Sequence, residues 1–248
     1  GSFVSYYYSD SIALTLAHAK PADKTQHRIY LSVVENLARV AQIPIPATYV
    51  IGSPAMNAFA TGRDPSHAAI AVTEGLLAKL DRTELEGVVA HELSHIRNYD
   101  TRLMTIVAIL VGSIAMILNW GWRLSSFGGG KRRSNNESSG GAILMVVGII
   151  FIVLAPIVAK LIQLAISRRR EFYADASGAL LTRQPSGLIG ALKKIAANES
   201  ITLETASPAT AHMYIDDPVT TETHGSKIAN LFSTHPPIAE RIAALEGN

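Results

Sequence analysis

Residues 91 to 95 read His-Glu-Leu-Ser-His, two imidazoles four positions apart with a glutamate beside the first. On an α-helix that spacing is about one turn, so both rings lie on one face and can reach a single ion. Zn²⁺ takes nitrogen and oxygen ligands in a tetrahedron, and a catalytic site uses three protein ligands and leaves the fourth position to water. Glu92 then stands beside the ion, placed to take a proton from the attacking water and to deliver it to a leaving amine. The chain has no cysteine. Thiolate metal sites, cysteine nucleophiles and disulfides are therefore excluded, and any metal must be held by His and carboxylates.

The third ligand has a candidate 76 positions (171 − 95) after His95. Glu171-Phe-Tyr-Ala-Asp175 follows Arg168-Arg-Arg170 and carries two carboxylates four apart, again on one helical face. Glu171 can complete the His91–His95 set around one zinc ion per chain. Asp175 can accept the free ring N–H of a ligating histidine, which fixes its tautomer and raises its basicity. Arg241, near the C-terminus, is a candidate partner for one of these carboxylates.

The elements that must position these groups are readable in part. Apolar Leu85, Val88, Val89, Leu93 and Ile96 give 83–98 a helical period, opened by a capping box from Asp81 with Glu84 or Thr83 with Glu86. Residues 28–41 read as an amphipathic helix that stops before Pro44 and Pro46. Short runs at 48–51 and 68–72 read as strands, with 57–62 and its glycine between them. The fold class is α+β, mainly helical, with a small sheet.

Hydrophobic residues make up 48% of the chain against 17% charged, with mean hydropathy +0.22. Much of that excess sits in two stretches without a charge, 103–122 and 142–159. Each is long enough for a helix to cross about 30 Å of hydrocarbon. Trp120 and Trp122 suit an interfacial position. The polar, Gly/Ser-rich loop 123–141 between them is too short for a domain, so 103–166 reads as a transmembrane helical hairpin inserted between two halves of one domain, 3–102 and 167–248. Lipid is thus an expected partner. Basic residues lie both in the loop (Lys131, Arg132, Arg133) and outside it (Arg97, Arg102, Arg168 to Arg170), so charge alone does not orient the hairpin. A formal net charge of +2 gives no reason to expect a nucleic-acid partner.

Taken in order, Asn57-Ala-Phe-Ala-Thr-Gly-Arg63, Ala69-Ile-Ala-Val-Thr-Glu-Gly75, His91-Glu-Leu-Ser-His95, Arg170-Glu-Phe-Tyr-Ala-Asp175, Ala209-Thr-Ala-His-Met-Tyr214 and Phe232-Ser-Thr-His-Pro-Pro-Ile238 resemble the HtpX-type membrane zinc metalloproteases, relatives of the prenyl-protein peptidases, from Ser5 to Leu245. The resemblance implies a zincin-like (gluzincin) fold and a protease domain on the cytoplasmic face of a prokaryotic plasma membrane. It also implies quality-control cleavage of misfolded or damaged membrane proteins, and self-cleavage. It places His235 near the metal, as a donor to the tetrahedral oxyanion or as a displaceable fourth ligand; the alternative is a histidine at the start of a helix capped by Ser233 or Thr234. It further supports substrate binding by strand addition at a sheet edge, for which Ala69, Ile70 and Ala71 are the first candidates and Asn57, Ala58 and Phe59 the second. The resemblance departs at the start, where the family has a further hydrophobic hairpin; with Gly1-Ser2 reading as a tag remnant, the chain is expected to be N-terminally shortened.

Two rival readings remain at this level. One is a membrane adaptor in which zinc is purely structural, against which Glu92 stands, since a structural site has no use for an unligated glutamate beside an open position. The other is a peptidase for prenylated C-termini, disfavoured by the single recognisable hairpin.

Overall fold

Apolar residues at Tyr30, Val33, Val34, Leu37, Ala38 and Ala41 recur every three or four positions, and all six are buried on one side of the helix Arg28–Ala41. The helix stops at Gln42, whose left-handed backbone (φ 57°) ends the run before the prolines. This is one element of a computed structural model that describes residues 9–103, 168–198 and 236–247, with 106 and 148 in addition. In chain order the elements are α1 (Ser9–Leu16), β1 (Lys20–Pro21), α2 (Arg28–Ala41), β2 (Ala47–Ile51), β3 (Ala58–Gly62), a 3-10 turn (Pro65–His67), β4 (Ala68–Thr73), α3 (Glu74–Lys79), α4 (Arg82–Arg97), α5 (Arg168–Thr182), α6 (Pro185–Ala197) and α7 (Ile238–Leu245). The architecture is helix-rich α+β. The body of the expected hairpin and His235 lie outside the described residues, and no helix among those described is long and apolar enough to cross a membrane.

The sheet has the order β1-β2-β4-β3, with β2 and β4 parallel and β3 antiparallel to β4. Both faces are covered. Val50, Ala58, Ala60, Ile70 and Val72 join the main core with α2 and α4, while Ile51, Phe59, Ala69 and Ala71 pack on Ala13, Leu14 and Ala17 of α1 and the residue after it. Such double burial accounts for the unbroken apolar run in β4. It also corrects the expected edge. Ala69, Ile70 and Ala71 belong to a strand paired on both sides, so they cannot accept an added strand; β3, with Ala58 and Phe59, is the outer strand beside them among the described residues.

α4 is the central element. It opens on the capping box of Asp81 and Glu84, with Glu84 N–H donating to Asp81 Oδ1 (2.9 Å) and Asp81 N–H donating to Glu84 Oε2 (2.8 Å). Glu84 also receives Lys194 Nζ of α6 at 2.6 Å. Two neighbours approach α4 at glycine. A Cβ on Gly87 would lie 2.5 Å from Leu188 N of α6, and one on Gly178 of α5 would lie 3.0 Å from His91 N. The second approach decides the site, because it seats α5 directly on the turn of α4 that carries His91.

Candidate metal centre

From Gly178, one turn back along α5 reaches Asp175 and two turns back reach Glu171, both on the face turned to α4 and both buried. His91, Glu92 and His95 are buried in turn on α4. One ligand atom from each of His91, His95 and Glu171 lies within 4.8 Å of the others. The two Nε2 atoms are 3.1 Å apart. Glu171 Oε2 is 3.6 Å from His91 Nε2, and Glu171 Oε1 is 3.5 Å from His95 Nε2.

These spacings fit a metal. Ligand atoms about 2.0–2.1 Å from a tetrahedral zinc stand about 3.3 Å from one another, close to the 3.1, 3.5 and 3.6 Å observed here. The outer edges of both rings are committed elsewhere: His91 Nδ1 is 2.8 Å from Asp175 Oδ1, and His95 Nδ1 is 3.1 Å from Asp100 Oδ2. With N–H at each Nδ1, both Nε2 lone pairs face one point, where they repel unless a shared proton or a metal cation lies between them. Glu171 Oε2 is buried, lying beside His91 Nε2 and, at 3.8 Å, Arg241 Nη1. Formal charge agrees. The carboxylates of Glu92, Asp100, Glu171 and Asp175 set against the guanidiniums of Arg170 and Arg241 leave an excess of two negative charges, which one divalent cation cancels.

Arg241, fully buried on α7, grips Asp175 in bidentate fashion, Nε to Oδ2 at 2.8 Å and Nη2 to Oδ1 at 2.7 Å. Burial by itself would push the Asp175 carboxyl up. The hydrogen bonds and charge of Arg241, with those of His91, outweigh it and hold Asp175 at about 2. At His95 burial favours the neutral ring, but Asp100, Glu171 and Glu92 push it up to about 9 without a metal. The charge of Glu92 is felt at His95, at Arg241 and at the buried Tyr30 hydroxyl, which places it at this centre.

The structure thus brings together His91, Glu92, His95, Glu171, Asp175 and Arg241. It adds Asp100, which the sequence reading did not single out. Asn98 and Tyr99 turn the chain sharply after α4, with Tyr99 in the left-handed region (φ 60°), and this returns Asp100 beneath His95. The only trace in the sequence is an acid placed just past the helix end. α7 begins after the prolines with Pro237 as its N-cap; Ser233 and Thr234, the expected caps, lie outside the described residues.

The model of peptidase family M48 matches residues 7–248. The protease HtpX homolog of Levilactobacillus brevis is 46% identical over 241 residues, covering 96% of this chain and 79% of that protein. The HtpX homolog of Streptococcus mutans is 48% identical over 249 residues (99% and 82%), and that of Thermococcus sibiricus 46% over 248 (98% and 82%). The crystal structure of S. mikatae Ste24p superposes with a TM-score of 0.59 at 19% identity over 98% of this chain; the chain spans 55% of that protein's length, and the likeness is one of fold. A buried donor set suited to a cation, on a fold of this type and in a chain so closely related to proteases, leads to one assignment: the chain belongs to peptidase family M48 and is a metalloprotease.

Proposed function

We propose that this chain is a zinc-dependent endopeptidase of the prokaryotic plasma membrane that cleaves misfolded or damaged membrane proteins, with its protease domain on the cytoplasmic side. The observation that carries the chemistry is the convergence of His91 Nε2, His95 Nε2 and Glu171 at zinc-like separations. Zinc bound there would polarise the scissile carbonyl and acidify the attacking water. Glu92, buried on the same turn of α4, accepts the proton from that water and returns it to the leaving amine. Asp175 and Asp100 hold the two imidazoles in the tautomer that presents Nε2. His235 is assigned to the developing oxyanion on the strength of the motif alone.

Substrate main chain would lie along β3 at Asn57, Ala58 and Phe59. Thr73 N–H donates to Asn57 O, so the pairing register turns the main-chain groups of Ala58 and Ala60 away from β4. β3 also packs against α4, the helix that carries His91 and His95, which supports this placement. The hairpin 103–166 would hold this domain against the bilayer, since His95 and Glu171 flank it in sequence.

Glu92→Gln tests the reading. The variant should bind zinc as wild type does and lose casein cleavage and self-cleavage by about 10²-fold or more. Retained proteolysis would refute the mechanism, and cleavage of a farnesylated peptide in preference to casein would move the substrate class to prenylated C-termini.

A further inference from the structure

Each ring of the centre is backed by a carboxylate, and each carboxylate by a guanidinium. For His91 the chain of contacts runs through Asp175 to Arg241, bidentate and fully buried. For His95 it runs through Asp100 to Arg170, whose Nη1 is 3.8 Å from Asp100 Oδ1. Asp100 is 8% exposed. Among the described residues, the buried Nε and Nη2 of Arg170 find no hydrogen-bond acceptor, and Asp100 is the anion that compensates this guanidinium. Asp100 lies just before the long stretch 104–167 and Arg170 just after it.

We propose that Asp100 and Arg170 form a clasp that positions the metal ligand His95: Arg170 holds Asp100, Asp100 holds the ring, and the two ends of segment 104–167 are tied together at the metal centre. Both are positioning residues, since both act on the ion through His95. Without Asp100 the ring is free to rotate or to move its proton to Nε2, and either change withdraws the lone pair from the ion. The 3.8 Å contact is looser than the Arg241–Asp175 fork, so Arg170 should matter less than Asp100. This inference rests on the zinc reading above.

Zinc affinity of the full chain, measured by competition with a chromophoric chelator, tests it. Asp100→Asn should weaken binding about 10–100-fold, with Asp100→Glu restoring part of the loss. Arg170→Gln should weaken it by roughly 3–10-fold, and should add nothing in the Asp100→Asn background, because both act through one path. Arg170 is partly exposed, so its variant is informative even if Asp100→Asn folds poorly. Wild-type affinity in Asp100→Asn and Arg170→Gln, or full additivity in the double variant, would overturn the clasp. His91→Ala separates the two levels: if it abolishes binding while the clasp variants do not, the zinc reading stands and the clasp fails; if it too binds as wild type, both fail.

Discussion

Two histidines one turn apart on α4 are ordinary until their far edges are counted. Once Asp175 and Asp100 occupy the Nδ1 positions, the Nε2 atoms are satisfied either by a proton shared between them or by a metal cation. Protons compete for the same place. With no metal, His95 is held at about 9 in the fold against an ordinary 6.5. A raised value means that its contribution to stability is fully present below about pH 6.5 and is lost as the pH rises through 9, a span worth about 3 kcal/mol at most. Zinc needs the neutral ring, so its affinity rises over the same window. Melting curves from pH 6 to 9.5 should therefore fall for chelated protein while the stabilisation added by zinc grows; a chelated protein equally stable across that range would contradict this account. The candidates His91, His95, Glu171 and Asp175 stand out in the sequence because helical spacing puts each pair on a face, and Glu92 because it adjoins His91. Asp100 does not, because its approach depends on a left-handed residue, Tyr99, that no spacing rule anticipates.

α4 and α5 meet at Gly178, and the depth of that contact sets where Glu171 and Asp175 stand relative to His91. A methyl there meets backbone atoms of Ala90 and His91 at 3.0–3.2 Å, which are not free to move aside. Gly178→Ala should cost about 1–3 kcal/mol of stability by overpacking and should weaken zinc binding, read by melting temperature and chelator competition. Unchanged zinc affinity would mean that the site tolerates a shift of α5. The same scale shows where sequence reading misplaced a strand. The run 68–72 reads as a strand from its apolar residues near turns, and as an edge only through the resemblance, yet its small and branched residues fill both faces of an interior strand. β3 gave less signal, since its alanines and glycine favour no element strongly, and it is stabilised by its place beside β4.

At the scale of the whole chain, residues far apart in sequence build one centre: His95 and Glu171 face each other across a stretch that carries two charge-free apolar runs. The proposed hairpin would meet that geometry by leaving the domain and returning beside its starting point; Asp100 and Arg170, on either side of the stretch, lie 3.8 Å apart. The helix-rich α+β class was legible from composition and periodicity, because long amphipathic runs such as 28–41 are unambiguous. The packing order was not, because contacts such as Arg241 with Asp175 span 66 positions and leave no local pattern. If the hairpin crosses the bilayer with the protease domain inside, trypsin added to spheroplasts should cut at Lys131, Arg132 or Arg133 and spare the rest. Protection of that loop in intact spheroplasts would contradict the topology.

The central claim is that His91, His95 and Glu171 hold zinc while Glu92 does chemistry beside it. Metal content per chain, measured on purified wild type, Glu171→Ala and Glu92→Gln, tests that division of labour most directly. We expect one zinc in wild type and in Glu92→Gln, and well under one in Glu171→Ala. Full zinc in Glu171→Ala, or its loss in Glu92→Gln, would contradict the account.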